Sequence, residues 1–177
     1  MVSLIVIFWM FVILFAIIGA MRGWAKELMV AFSVFLGFFI ITLLEAYAPP
    51  FQADAGLSAT SRFWARVFII VLGVFFGYQT PNIPGISGRF GRERLQDTLL
   101  GLILGAVNGY LIVGTVWYFM HQAGYPFTPY FQPPNPSDDL GKAALSLIDK
   151  MPPTFLNPPW IYFAIAVAFL FVVVVFI

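Results

Sequence analysis

The chain has 177 residues, of which 61% are hydrophobic and only 10% are charged. Average soluble domains are roughly 45–50% apolar and about 25% charged, so this composition excludes an ordinary water-exposed globule. The net charge of +1 and the lack of cysteine exclude a basic nucleic-acid-binding face, thiol chemistry and disulfides. We therefore predict an all-α integral membrane bundle whose surroundings are the lipid bilayer, with no nucleic acid as a partner.

Two uncharged apolar runs open the chain, over residues 4–20 and 28–44. Because about 20 helical residues cross the ~30 Å hydrocarbon core, each run predicts a transmembrane helix. No basic residue precedes the first run, which favours a retained helix over a cleaved signal peptide. Between the runs lie Arg22, Lys26 and Glu27, which are predicted to stay hydrated at the membrane–water interface.

Further apolar runs predict helices over residues 63–78, 95–120 and 160–177. About five transmembrane helices result, and the chain divides into three parts. These are a four-helix membrane region (1–121), a proline-rich extramembrane loop (122–159) and a C-terminal transmembrane helix (160–177). Arg62 and Arg66, at the entry of the third helix, are predicted to extend towards the lipid headgroups.

The proline-rich loop contains one periodic segment. Apolar residues recur at helical spacing over residues 137–151, where Ser137 and two aspartates offer a helix start. The pattern predicts a short amphipathic interfacial helix. It either lies on the membrane surface or packs on the extramembrane ends of the bundle.

Basic residues in the connecting segments predict the orientation. Cytoplasmic loops carry an excess of lysine and arginine, and two connectors on the same side of the bundle are basic. The first holds Arg22 and Lys26, and the second holds Arg89, Arg92 and Arg94. We therefore expect the N-terminus outside and the C-terminus in the cytoplasm.

A glycine occurs every four residues in the fourth helix, at Gly101, Gly105 and Gly109. Such a stripe lets another helix approach closely, whether from this chain or from a neighbour. Asn108 beside the stripe is predicted to make an interhelical hydrogen bond, with a substrate contact as the alternative. Asp97 is predicted to pair with a cation, first of all Arg22. An interfacial charge cluster would then comprise Arg22, Lys26, Glu27, Arg92, Arg94 and Asp97.

The sequence offers little for catalysis. The apolar runs hold no paired carboxylates, and His121 is the only histidine, without a second ligand at helical spacing. The glycine-rich stretch 85–91 lacks the strand and Lys-Ser/Thr of a phosphate-binding loop. We predict no enzyme, no cofactor and no metal site. The 21 phenylalanines contact lipid or form a rim that docks other membrane subunits or hydrophobic cofactors.

Two motifs carry a family resemblance. Residues 21–27, Met-Arg-Gly-Trp-Ala-Lys-Glu, are similar to an Arg-Gly-x-x-Arg/Lys-Glu motif between two spans. Residues 97–113 are similar to an Asp-x-x-x-Gly-x-x-x-Gly-x-x-x-Gly helix that leads into a Leu-Ile-Val run. Over residues 4–120 the chain therefore resembles the colicin V production protein (CvpA) family of bacterial inner-membrane proteins. The family often has arginine where this chain has Asn108.

The resemblance implies a non-enzymatic, multi-pass inner-membrane protein linked to colicin production and envelope physiology. The first hypothesis is a structural or accessory subunit that packs laterally against other integral membrane subunits in a larger complex, respiratory or photosynthetic. The alternative is a small transporter or export component of the colicin-secretion type. Its polar path would use Ser33, Thr42, Asn108 and Thr115.

Overall fold

The computed structural model describes residues 3–52, 56–79, 94–127 and 130–176. Within these ranges the chain is helical and contains no strand, which confirms the all-α prediction. The helices are α1 (Leu4–Arg22), α2 (Trp24–Tyr47), α3 (Ala59–Tyr78), α4 (Arg94–Gln122), α5 (Asp139–Ile148), α6 (Pro152–Phe155) and α7 (Trp160–Phe176). A 3₁₀ turn over Pro49–Phe51 follows α2.

The membrane spans follow the apolar runs. Each of α1 to α4 is long and apolar enough to cross a bilayer. A fifth span is present only if the bent pair of residues 139–155 and 160–174 is counted as one, which differs from the straight helix expected over residues 160–177. The two parts are bent by 60°. Prolines at positions 152, 153, 158 and 159 explain the break, since proline cannot continue a helix.

The closest helix pair is α1 with α4. These helices run antiparallel, and glycines on both sides bring their backbones together. A Cβ added to Gly105 would lie 2.9 Å from the Gly19 Cα, and one added to Gly109 would lie 3.0 Å from the Val12 Cα. Gly101 faces Gly19 as well. The predicted stripe therefore lies against a helix of this chain, where close backbone approach replaces the hydrophobic drive that lipid cannot supply.

A second antiparallel pair, α2 with α3, is packed in the same manner. Gly73 and Gly77 lie beside Ser33, and Gly37 faces Ile70. The interior between these helices is apolar. Its fully buried members include Val30, Val34 and Ile70.

The amphipathic segment packs on the bundle, which is the second of the two predicted arrangements. Helix α5 begins at Asp139 with Asp138 as its N-cap, one residue after the predicted cap Ser137. Its buried face consists of Gly141, Ala144 and Ile148. Met151, which follows α5, is fully buried and would touch a Cβ placed on Gly114 of α4.

Helix α7 packs on α2 through aromatic pairs. The ring centroids of Phe39 and Tyr162 are 6.2 Å apart, and those of Phe32 and Phe171 are 5.4 Å apart. These two pairs show that α7 runs antiparallel to α2. The C-terminal end of α7 therefore lies towards the end of the bundle where α1 meets α2.

The glycine contacts predict that alanine substitution destabilises the fold more at Gly105 than at Gly37. We expect Gly105→Ala to destabilise the fold by about 1–3 kcal/mol, because the new methyl would collide with α1 backbone and overpack the interface. Gly37→Ala is the matched control, since the one tight contact of its methyl would be with Ile70 Cδ1 at 3.1 Å, and the nearest backbone atom lies at an ordinary 3.7 Å. Thermal unfolding in detergent measures both. Equal melting temperatures for the two variants would contradict the close α1–α4 contact.

Candidate functional site

A single residue, Gly23, separates α1 from α2. Its φ of 86° lies in the region that favours glycine, and its N–H donates to the Gly19 carbonyl at 2.9 Å. A Cβ at this position would also lie 2.8 Å from both carboxylate oxygens of Asp97. The chain therefore requires glycine here for two independent reasons. We call this part of the bundle the Gly23 end.

Glu27 is the centre of a buried polar network at the Gly23 end. Its side chain is 0% exposed, and its Oε1 accepts a hydrogen bond from Arg22 Nη1 at 2.7 Å. Arg22 also donates through Nη2 to the Tyr78 carbonyl at 3.1 Å, and its guanidinium lies 4.2 Å from the Tyr78 ring centroid. The prediction that Glu27 stays hydrated is wrong. Burial of the carboxylate is possible because a guanidinium and further donors surround it.

Asn108 links α4 to this carboxylate. The side chain is 0% exposed, and its Nδ2 donates to both the Oε2 and the backbone carbonyl of Glu27 at 2.8 Å. The predicted interhelical hydrogen bond is therefore confirmed. Asn108 Oδ1 has no hydrogen-bond partner among the described residues. Arg22, Glu27, Tyr78 and Asn108 thus join α1, α2, α3 and α4, and we call them the Glu27 network.

Asp97 fixes α4 in a different way from the one predicted. The predicted Asp97–Arg22 pair is wrong, because Arg22 forms its ion pair with Glu27. Asp97 Oδ1 instead accepts a hydrogen bond from the backbone N–H of Trp24 at 3.1 Å. That N–H lies in the first turn of α2, where helix donors have no partner within the helix and anions are favoured.

The remaining members of the predicted charge cluster contribute no described contact to this network. Lys26 is half-buried in the first turns of α2. Arg94 begins α4, but its side chain lies outside the described residues. Arg92, Arg89 and the glycine-rich stretch 85–91 also lie outside them.

Sequence reasoning missed a second polar group at the opposite end of the bundle. Arg66 donates through Nε to Glu45 at 2.6 Å and through Nη1 to Gln122 at 2.7 Å. These contacts tie α2, α3 and α4 together, so Arg66 does not simply extend to the headgroups as predicted. A basic and an acidic residue placed at facing ends of antiparallel helices could have indicated the pair. We call this part of the bundle the Arg66 end.

The histidine also lies at the Arg66 end. His121 Nδ1 and Trp117 Nε1 are each 3.3 Å from the Tyr125 hydroxyl. Burial raises the pKa of the Tyr125 phenol, and the Trp117 hydrogen bond partly opposes that rise. Within the described residues, no three His, Asp or Glu side chains come together as a metal site would require.

The Glu27 network predicts strong coupling between its charges. We expect Glu27→Gln to destabilise the fold by about 3 kcal/mol, because the largely buried Arg22 loses its anionic partner. Asn108→Leu should cost about 1–3 kcal/mol, since two Glu27 acceptors then lose their donor. Lys26→Gln is the control, with an expected change within about 0.5 kcal/mol.

A double-mutant cycle on Arg22 and Glu27 measures the interaction itself. Chemical unfolding of Arg22→Gln, Glu27→Gln and the double variant gives the coupling free energy. Additive effects of the two substitutions would contradict a direct ion pair.

The comparison with known proteins places these features in a family. The family described as colicin V production protein matches residues 4–134, which include α1 to α4 and the whole Glu27 network. The match extends beyond residue 120, where the motif resemblance ended, and residues 135–177 lie outside it. No curated protein and no solved structure is detectably similar to the chain. The chain is a multi-pass membrane protein that belongs to the colicin V production protein family.

Proposed function

We propose that this chain is a non-enzymatic accessory subunit that packs laterally against other integral membrane subunits in a larger complex. The position of α7 is the observation that carries the proposal. This helix contacts the bundle mainly through α2 and leaves large apolar side chains outside. Phe163 is 63% exposed and Phe169 is 71% exposed. Both lie on a helix whose inner face adds Ile161 to the core while its large outer side chains stay uncovered.

Helix α1 offers a second lateral surface. It packs chiefly on α4 and turns another face outwards. The exposed apolar residues of that face are Val6, Trp9, Met10, Ile13 and Ile17. Lipid tails can cover such faces, but aromatic and methionine side chains are also the types enriched at protein interfaces. The larger complex of this proposal is respiratory or photosynthetic.

A transporter or export component of the colicin-secretion type is the second candidate. The buried Glu27 carboxylate and the Asn108 oxygen that lacks a described partner favour it, because intramembrane polar groups often mark transport pathways. The other residues of the predicted path argue against it. The hydroxyls of Ser33, Thr42 and Thr115 each donate to the carbonyl four residues earlier in their own helix.

The apolar layer between the two ends of the bundle also weighs against transport. Val30, Val34 and Ile70 are all 0% exposed and lie between the Glu27 network and the Arg66 end. If Asn108→Ala abolished a measurable transport flux while expression stayed normal, the transporter would become the first candidate.

The proposal places the chain in the bacterial inner membrane with its N-terminus outside and its C-terminus in the cytoplasm. Arg22 and Lys26 at the Gly23 end support this orientation, since basic connectors favour the cytoplasmic side. The antiparallel course of α7 along α2 supports a C-terminus on that same side.

Co-purification tests the accessory role. We expect the tagged protein, extracted from native membranes into lipid nanodiscs, to carry a membrane protein in fixed stoichiometry. Replacing Phe163 and Phe169 together by leucine should reduce the recovered partner, because the outer aromatic surface of α7 is lost. The same double change at Phe68 and Phe75, exposed aromatics of α3, is the control. A lone, uniform protomer under these conditions would contradict the proposal.

Reporter fusions test the orientation. Alkaline phosphatase, which is active only outside the cytoplasm, should be inactive when fused after Pro84 and active when fused after Asn135. The expectation follows from the basic connectors on the Pro84 side and the antiparallel helices between them. Activity after Pro84 would overturn the orientation without bearing on the Glu27 network.

A further inference from the structure

Two cavities flank the Arg66 side chain at the Arg66 end of the bundle. The larger, of about 390 Å³, lies between α2, α4 and the segment that leads into α7, and Glu45 is part of its wall. The smaller, of about 310 Å³, lies between α3 and α4. Arg66, Phe119 and Gln122 border both.

Two arginines border the smaller cavity, and one of them, Arg66, is paired with Glu45. Two guanidinium groups line it, from Arg62 and Arg66, which are one turn apart on α3. Gln122 adds an amide, and no carboxylate borders this cavity among the described residues. Glu45 binds Arg66 at 2.6 Å but borders only the other cavity. The charge facing the smaller cavity is therefore suited to an anion.

The rest of its wall is apolar. Phe63 and Phe119 supply aromatic rings, and Ala59 and Ala123 supply methyl groups. The volume lies at the small end of the ~300–1,000 Å³ range of ligand sites. A ligand that fits this wall combines an anionic group with an adjoining apolar part.

Aromatic side chains at the same end indicate its depth in the membrane. Trp64, next to the cavity residue Phe63, is 53% exposed and packs against Phe63 and Phe127. Tyr47, at the end of α2, is also exposed. Tryptophan and tyrosine concentrate at the level of the lipid headgroups, where phosphate groups are abundant. Guanidinium groups bind phosphate oxygens through charge-assisted hydrogen bonds.

We propose that the cavity lined by Arg62 and Arg66 is a binding site for the phosphate headgroup of an anionic phospholipid. Phosphatidylglycerol fits a wall with two arginines better than phosphatidylethanolamine, whose ammonium group would meet both guanidiniums. Arg66, already held by Glu45 and Gln122, provides a fixed donor. Arg62, whose Nη2 also donates to the Leu57 carbonyl at 3.4 Å, provides the second cation. The site is independent of the accessory role.

Native mass spectrometry of the full chain tests the site. The protein in detergent is titrated with phosphatidylglycerol, phosphatidylethanolamine or diacylglycerol of matched acyl chains. We expect about a tenfold preference for phosphatidylglycerol over the other two, as charge-assisted hydrogen bonds allow. Arg62→Gln should reduce this preference towards onefold, and Arg62→Lys should retain most of it.

Lys142→Gln is the matched control, because it removes one positive charge from an exposed residue outside the cavity. It should leave the preference unchanged. Ala59→Leu keeps both arginines but fills part of the cavity, so it should also lower the preference. This variant still tests the site if Arg62→Gln fails to fold. An unchanged preference in Arg62→Gln and Ala59→Leu, or an equal loss in Lys142→Gln, would overturn the proposal. Displacement of the lipid by millimolar inorganic phosphate would overturn it in favour of a small soluble anion.

Discussion

The buried carboxylate of Glu27 is the constraint on which the arrangement of the bundle depends. An ionised carboxylate taken out of water is costly unless opposite charge and hydrogen-bond donors accompany it. Arg22 supplies the charge from the end of α1, and Asn108 of α4 donates one hydrogen bond to the carboxylate and one to the Glu27 backbone carbonyl. The three helices must therefore keep one mutual register. A shift of α4 by a turn would carry Asn108 about 5 Å from its acceptors.

The glycine contacts complement this polar constraint. Hydrogen bonds and the ion pair fix which residues face each other, but they do not by themselves provide contact area. Between α1 and α4, contact area comes from the close approach of Gly19 to Gly101 and Gly105. Between α2 and α3, it comes from Gly73 and Gly77, which lie beside Ser33. In lipid, where apolar surface gains little from leaving its surroundings, such van der Waals contact is a main source of association. Register and contact area therefore come from different residues.

Sequence reasoning predicted the spans and the glycine stripe but misplaced the charges. Long apolar runs with at most one charge determine transmembrane helices almost independently of tertiary structure, which is why α1 to α4 agree with their predicted ranges to within four residues. The ion-pair partner of Arg22 could not be predicted from apolar runs. Glu27 and Asp97 were both possible partners, and the choice depends on the turn at Gly23, which leaves Asp97 beside the Trp24 amide. Similarly, the Arg66–Glu45 pair joins residues 21 positions apart and becomes apparent only once α2 and α3 are aligned.

The one-residue connection at Gly23 has a consequence for biogenesis. Arg22 and Glu27 are only five positions apart, on either side of that glycine. Their ion pair can therefore form as soon as α2 leaves the ribosome, before α3 and α4 have been synthesised. The first two helices can enter the bilayer as one hairpin whose internal charges already neutralise each other, and Asn108 joins afterwards. Insertion of this hairpin into the bilayer then requires no later segment to neutralise the Glu27 carboxylate.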